Sequence, residues 1–388
     1  MTTVDATAHI RARIFSIDTV RGLIMIIMTL DHVRDFLMVP GPSPLAMKTT
    51  TVILFFTRWI THFCAPTFVF LSGVSVFLAG QKRSRRQLSL FLLKRGLWLI
   101  ASDLLIISLI FTFDPTYHIL VLEVLWAIGA GMIILSVLIY APMPVIAAIG
   151  IVILFGHNLL DNVTPTPLMT VLFSAVASVI PTGTNRAIVE LYAILPWSAP
   201  MFLGYVFGTL YADKFDPTRR RQLLTWLGIA FCVLFIILRL ANGYGDQSPW
   251  HTQQNAAHTF LSFLNVSKQP PSLLYFSVTL GPILLLLAFT EHFQNRFSTI
   301  CRAYGNVPYF YFIVHLCTIR VINILLIIIQ GLPIKFTGFP LVWQADGFGY
   351  PLWAIYLFWL LVVAILYLPC KWYGNYKRTH TQWWLSYL

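Results

Sequence analysis

Residues 16–37, SIDTVRGLIMIIMTLDHVRDFL, decide the fold. As a helix they extend about 33 Å, enough to cross the hydrocarbon core of a bilayer. Yet they carry Asp18, Arg21, Asp31, His32, Arg34 and Asp35. A charge at membrane depth costs about 2.5–3.5 kcal/mol or more, so ionisable residues there mark a function by default. Arg21 and His32 stand eleven positions apart. That spacing returns to nearly the same helix face about 16 Å further along the axis.

Asp18, Arg21, Met25, Met28, His32 and Asp35 form one stripe at i, i+3, i+4 spacing. Asp18 can reach Arg21 and Asp35 can reach His32, each at i+3. Asp31 can pair with Arg34 or face another helix. A carboxylate beside an imidazole orients its tautomer and raises its basicity, as a general base or nucleophile requires. The competing reading is a polar cluster that only stitches helices together.

The chain around this helix has 388 residues, 58% of them hydrophobic and 10% charged. Soluble domains carry about 25% charged residues, so the composition describes a polytopic membrane protein. The formal charge of +12 falls in loops that alternate between apolar segments. That is the pattern of membrane topology and not of a nucleic-acid-binding stripe.

An all-α helix bundle of about ten transmembrane helices is expected, at about 17–37, 60–80, 96–113, 119–140, 145–160, 190–211, 223–241, 273–290, 307–330 and 351–369, in a single domain 1–388. Arg11 and Arg13, the run Lys82–Arg95, the run Lys214–Arg221, Arg296 and Arg302, and Lys371, Lys377 and Arg378 occupy alternate loops. The opposite loops hold little beyond Lys48, Arg186, Lys268 and Lys335. Both termini are therefore expected in the cytoplasm, and the first helix reads as an uncleaved anchor. The apolar piece Leu168–Ile180 is too short to span.

The second span adds Arg58 and His62, four apart on one face near the His32 end. His62 reads either as part of a reacting centre or as a histidine bonded to a backbone carbonyl freed by Pro66. His315, three turns inside the aromatic run YGNVPYFYFIVHLC, reads either as a catalytic group or as a packing histidine held by backbone. Asp103 and Asp114 are expected to partner stray arginines. The five cysteines have no metal-type spacing, and no Walker loop, dinucleotide fingerprint, HExxH or GxSxG is present. No bound metal is expected.

Seven segments then carry a resemblance: RIFSIDTVRGLIMIIMTLDHVRDF, RWITHFCAPTFVFLSG, VLWAIGAGM, YAILPWSAPMFLGYVFG, QPPSLLYFSVTLGP, YGNVPYFYFIVHL and WWLSYL. In this order they resemble the bacterial membrane domain related to heparan-α-glucosaminide N-acetyltransferase. The Arg–His pair eleven apart also resembles the first helix of the large bacterial membrane O-acyltransferase family. The resemblance implies transfer of an acetyl or other acyl group from cytoplasmic acyl-CoA to a sugar or glycan on the far side of an inner (plasma) membrane, by a homodimer. The eukaryotic glucosaminide enzyme has Asn where His32 stands, and its proposed catalytic His lies in the next luminal segment. Residues 39–56 contain no His here, so the bacterial Arg–His pattern is the one that carries over.

On that reading His32, held by Asp35, acts on the acceptor or transiently carries the acyl group, with His62 as second candidate. Arg21, Arg83 and Arg86 hold acyl-CoA, and Asp31, Arg34 and Arg58 bind the acceptor. The alternative is a proton-coupled transporter or flippase with Asp31, His32 and Asp35 as its proton relay. A non-catalytic membrane partner protein is the third reading.

Overall fold

The computed structural model describes residues 3–41, 43–161, 163, 166–173, 178–183, 186–333 and 345–386. Lys335 lies outside them. The helices are α1 (Thr3–Leu37), α2 (Val52–Trp59), α3 (Cys64–Gly80), α4 (Arg85–Ser102), α5 (Ser108–Thr112), α6 (Val124–Leu138), α7 (Met143–Gly156), α8 (Pro167–Phe173), α9 (Ile194–Phe207), α10 (Pro217–Ala241), α11 (Ala256–Leu264), α12 (Leu273–Thr290), α13 (Arg296–Gly305), α14 (Pro308–Ile329) and α15 (Leu352–Thr379). Three strands accompany them: β1 (Ile119–Leu122), β2 (Ser178–Gly183) and β3 (Arg186–Glu190).

Among the described residues, six helical segments are long and apolar enough to cross a membrane: Val52–Gly80, Met143–Leu160, Pro217–Ala241, Leu273–Thr290, Pro308–Ile329 and Leu352–Thr379. Their outward faces are apolar. Trp226 on α10, Val152 on α7 and Leu368 on α15 are 69%, 69% and 70% exposed, a surface that belongs in lipid and not in water. α12 lies at the opposite extreme, its side chains buried almost throughout. The chain is a helical membrane protein.

The expected spans differ from the helices at several ends, each for a local reason. The second segment starts at Val52 because Thr51 caps it, its hydroxyl accepting from Leu54 N at 3.2 Å. It then runs through a 3-10 turn, Ile60–Phe63, into α3. The third begins at Arg85, where Ser84 and Gln87 form a capping box. It passes through a π-turn at Asp103–Ile107 before α5. Residues 119–122, read as the start of a span, are strand β1 instead, and β3 (Arg186–Glu190) fills the end of an expected loop up to the span start expected at 190. Short apolar runs rich in Ile and Val fit either structure, and periodicity alone does not separate them. The sheet order is β1-β3-β2, with β1 and β3 parallel and β3 and β2 antiparallel. The bundle is therefore not purely helical. Of the 168–180 piece, 168–173 belong to α8 and 178–180 to β2, and 174–177 lie outside the described residues.

Helices meet where two glycines face each other. A Cβ on Gly22 of α1 would lie 1.8 Å from the Cys301 carbonyl oxygen, and one on Gly305 of α13 would lie 2.0 Å from the Asp18 carbonyl oxygen. Gly73 of α3 and Gly204 of α9 repeat the device against Met201 and Phe70. Close backbone approach through small residues is how helices pack without a hydrophobic driving force between them.

Asp103 does not partner an arginine. Its carboxylate accepts from the backbone N–H groups of Glu123 at 2.7 Å and Trp126 at 3.1 Å, capping α6 from a neighbouring helix. Asp114 binds Thr116 and the His118 ring and backbone. Two buried arginines also serve the backbone. Arg320 donates to the Ile110 carbonyl at 2.8 Å and to the Phe111 carbonyl at the end of α5. Arg239 donates to the carbonyls of Phe263, Ser248, Ser262 and Asn265. Each guanidinium thereby occupies carbonyls that a helix end leaves unpaired.

Candidate active site

The polar stripe of α1 has two ends. At the first, Arg21 Nη1 donates to Asp18 Oδ1 at 2.9 Å and to the Gly305 carbonyl at 3.1 Å, and Nη2 donates to Ser75 Oγ at 3.0 Å. The Gly22–Gly305 crossing brings that carbonyl within reach. Arg21 also forms part of the wall of a cavity of about 350 Å³.

Three cations line this cavity: Arg21, Arg95 and Lys377. The remaining wall is largely apolar, with Met25 and Met28 of α1, Leu125 and Ile128 of α6, and Tyr309 and Phe312 of α14. The cavity rises along α1 from Arg21 to Met28 and along α14 from Pro308 to Phe312. One helical turn beyond Met28 stands His32, and one turn beyond Phe312 stands His315.

Those two histidines meet. His32 Nδ1 and His315 Nε2 are 2.7 Å apart, and the rings meet end-on with centroids 5.0 Å apart and planes 26° from parallel. Phe312, at the cavity's end, packs edge-on against His32 with centroids 6.3 Å apart. Phe111 closes another side of the His32 ring at 6.2 Å.

Around the pair lies a dense ionic cluster. Asp31 Oδ1 is 2.8 Å from Arg34 Nη2, and Asp31 Oδ2 accepts from Arg58 Nη1 at 3.2 Å. Arg58 also donates to Thr61 Oγ1 at 2.7 Å. Asp35 accepts from Arg34 at 2.5 Å. Buried charges persist only where they are paired and hydrogen-bonded, and Asp31 accordingly bridges two guanidinium groups. Lys268, from the loop before α12, enters the same electrostatic neighbourhood, with its ammonium 5.6 Å from the centre of the Tyr192 ring. Burial, then Arg58, holds that ammonium below the usual lysine range, against the opposing pull of Asp31 and Glu123.

His62 is 1% exposed. Its Nδ1 donates to the Trp59 carbonyl at 3.0 Å. Pro66 has no N–H to offer the His62 carbonyl, and the Tyr275 hydroxyl donates to it instead at 2.9 Å. The His62 ring is thus held by the Trp59 carbonyl, and the carbonyl that Pro66 frees is its own, bonded by Tyr275. Its Nε2 is buried without a hydrogen-bond partner.

The expected Asp18–Arg21 pair forms, and Asp31 makes both contacts expected of it. Asp31, Arg34 and Arg58 converge as one ionic unit. Asp35 bonds Arg34, and the Nδ1 of His32 bonds His315. Arg83 and Arg86 do not line the cavity. Arg83 is exposed, donates to the Ala79 carbonyl at 2.7 Å and covers the Phe91 ring, which does line it, at 4.6 Å. Arg86 is exposed on the first turn of α4. Arg95 and Lys377 occupy the wall where those two were expected.

Sequence reading also underrated His315 and Lys268. A signal for His315 was present, because Pro308, Phe312 and His315 follow i, i+4, i+7 on one face of α14. Among the described residues, no group of three or more His, Cys, Asp or Glu side chains is placed to hold a metal ion.

Residues 13–238 match the family model described as heparan-alpha-glucosaminide N-acetyltransferase, catalytic. The matched region contains Arg21, His32, Arg58, His62 and Arg95 but ends before α12, α14 and α15. No curated protein matches the chain.

Proposed function

The chain belongs to the heparan-alpha-glucosaminide N-acetyltransferase catalytic family, a family of transmembrane acetyltransferases, and from that premise we propose that it moves an acetyl or other acyl group from acyl-CoA on the cytoplasmic side to a sugar or glycan on the opposite side. The observation that carries this reading is the cavity. It has cations at the Arg21 end, apolar walls along its length, and an end one helical turn short of the His32–His315 pair.

The parts suit the reaction. Arg21, Arg95 and Lys377 offer charge-assisted hydrogen bonds to the phosphates of CoA. The apolar wall accepts the extended pantetheine arm, whose length is on the order of the 16 Å from Arg21 to His32. An acceptor hydroxyl or amine at the His32 end loses its proton to the imidazole as it attacks the thioester carbonyl. The C–S bond then breaks, and the CoA thiolate leaves with that proton. In the two-step variant the imidazole attacks first and carries the acyl group to the acceptor. Arg58, Asp31 and Arg34 bind the acceptor, Arg58 faces the oxyanion, and His62, whose Nε2 is a bare acceptor, is the second candidate for the acceptor's proton.

The loop charges support about ten spans in an inner (plasma) membrane, with both termini cytoplasmic. Ten helical segments are available for them: α1, 52–80, 85–112, α6, α7, α9, α10, α12, α14 and α15. A homodimer remains part of the proposal through the family resemblance. Turnover of radiolabelled acetyl-CoA by the purified protein in nanodiscs, with amino sugars and polysaccharide fragments as acceptors, tests the reading. Acceptor-dependent release of CoA is expected. Proton-driven flux of a solute without acyl-CoA would instead identify a transporter.

A further inference from the structure

We infer that His315 is a positioning residue that fixes the tautomer of His32, leaving the lone pair of His32 on Nε2. The inference rests on the reading of His32 as the reacting base or nucleophile.

His315 Nδ1 lies 2.9 Å from the Tyr311 carbonyl oxygen, which can only accept. His315 therefore carries a proton on Nδ1. Its ring is 0% exposed, among Tyr311, Phe312 and His32. A second proton would leave an imidazolium buried against aromatic rings, which burial opposes. His315 Nε2 is thus a bare acceptor. The nitrogen 2.7 Å from it, His32 Nδ1, must supply the hydrogen. A neutral His32 with its proton on Nδ1 has its lone pair on Nε2.

The arrangement parallels a carboxylate orienting a catalytic histidine, with a neutral imidazole as the orienting group. His315 is itself held firmly. Tyr311 stacks on its ring with centroids 5.2 Å apart, and the Tyr311 hydroxyl bonds Thr29 of α1 at 2.5 Å. α1 and α14 are thereby tied together one turn below the pair. Asp35, the orienting group expected from i+3 spacing, is engaged with Arg34.

His315→Leu and His315→Gln separate this role from simple packing. Leucine removes the acceptor, whereas the glutamine amide oxygen restores one near the position of Nε2. In acyl-transfer assays on the full-length protein, His315→Leu is expected to lower kcat about 10–100-fold, with the KM for acetyl-CoA changed by less than about threefold. His315→Gln is expected to recover most of that loss. Nitrogen-15 NMR of histidine-labelled protein gives an activity-independent readout, with the His32 signals identified by their absence in His32→Ala. The wild type is expected to show a protonated Nδ1 and a bare Nε2 on His32.

A His32 with bare Nδ1 in the wild type, or undiminished kcat in His315→Leu, overturns the inference. Equal loss in the Leu and Gln variants, with unchanged His32 nitrogen signals in both, overturns it as well. Full turnover in His32→Ala overturns the reading of His32 itself, and an inactive His32→Ala beside a fully active His315→Leu overturns only the role of His315.

Discussion

The two ends of the polar stripe on α1 hold similar residues in opposite circumstances. At the Arg21 end, a cation with three protein acceptors still forms part of the wall of a cavity. At the His32 end, Asp31 is paired with both Arg34 and Arg58, and His32 is bonded to His315. The first end is arranged to receive a charged molecule. The second is a rigid polar framework that holds one imidazole. Buried charge is costly in both places, and the difference lies in what offsets it. Arg320 and Arg239 sharpen the contrast, because their guanidinium groups are used on backbone carbonyls.

If the His32 end is a framework, breaking it should destabilise the protein more than any change at the Arg21 end. Asp31→Ala strands Arg58 and leaves Arg34 with Asp35 alone, and is expected to cost about 3–5 kcal/mol, read as a large drop in thermal-unfolding midpoint. Replacing Asp31 and Arg58 together by leucine should recover much of that loss, since an apolar pair carries no stranded charge. A single Asp31→Ala variant as stable as wild type would show that the cluster is not a framework.

Gly22→Ala tests the seam beside Arg21. Its Cβ would meet the Cys301 carbonyl oxygen at 1.8 Å, so α1 and α13 must separate. A loss of about 1–3 kcal/mol is expected, together with weaker acyl-CoA binding as the Gly305 carbonyl moves away from Arg21. Arg21→Ala should leave the fold in place and raise the KM for acyl-CoA about 10–100-fold, the worth of charge-assisted bonds to a phosphate. Arg83→Ala and Arg86→Ala form the smallest step. Both residues are exposed and neither lines the cavity, so stability should change by less than about 0.5 kcal/mol. An effect of either on acyl-CoA KM as large as that of Arg21→Ala would move the binding site out of the cavity.

What could be read from sequence follows the range of the interaction. Asp18–Arg21 and Asp31–Arg34 sit three apart on one helix, and local geometry fixes such pairs. The stripe Arg21, Met25, Met28, His32 was equally legible, and its first three members line the cavity. The His32–His315 contact joins α1 to α14, and Arg58–Asp31 joins α2 to α1. Such contacts depend on how closely helices approach, which the paired glycines set and no periodicity reveals. Arg95 and Lys377 were visible only as loop charges. They reach the cavity because α4 begins at Arg85 and α15 continues to Thr379, so both residues sit on helices and not in loops. β1 was hidden because its short apolar run read as the start of a membrane segment, and β2 and β3 because the stretch that holds them read as a loop.

Donor binding and chemistry thus occupy opposite ends of one polar stripe on α1. Acetyl-CoA binding and acyl transfer, measured side by side on purified His32→Ala, test it most directly. Binding within about threefold of wild type and turnover lowered about 10²–10⁴-fold are expected when an acid–base group is lost while the donor site is intact. Undiminished turnover would contradict the account.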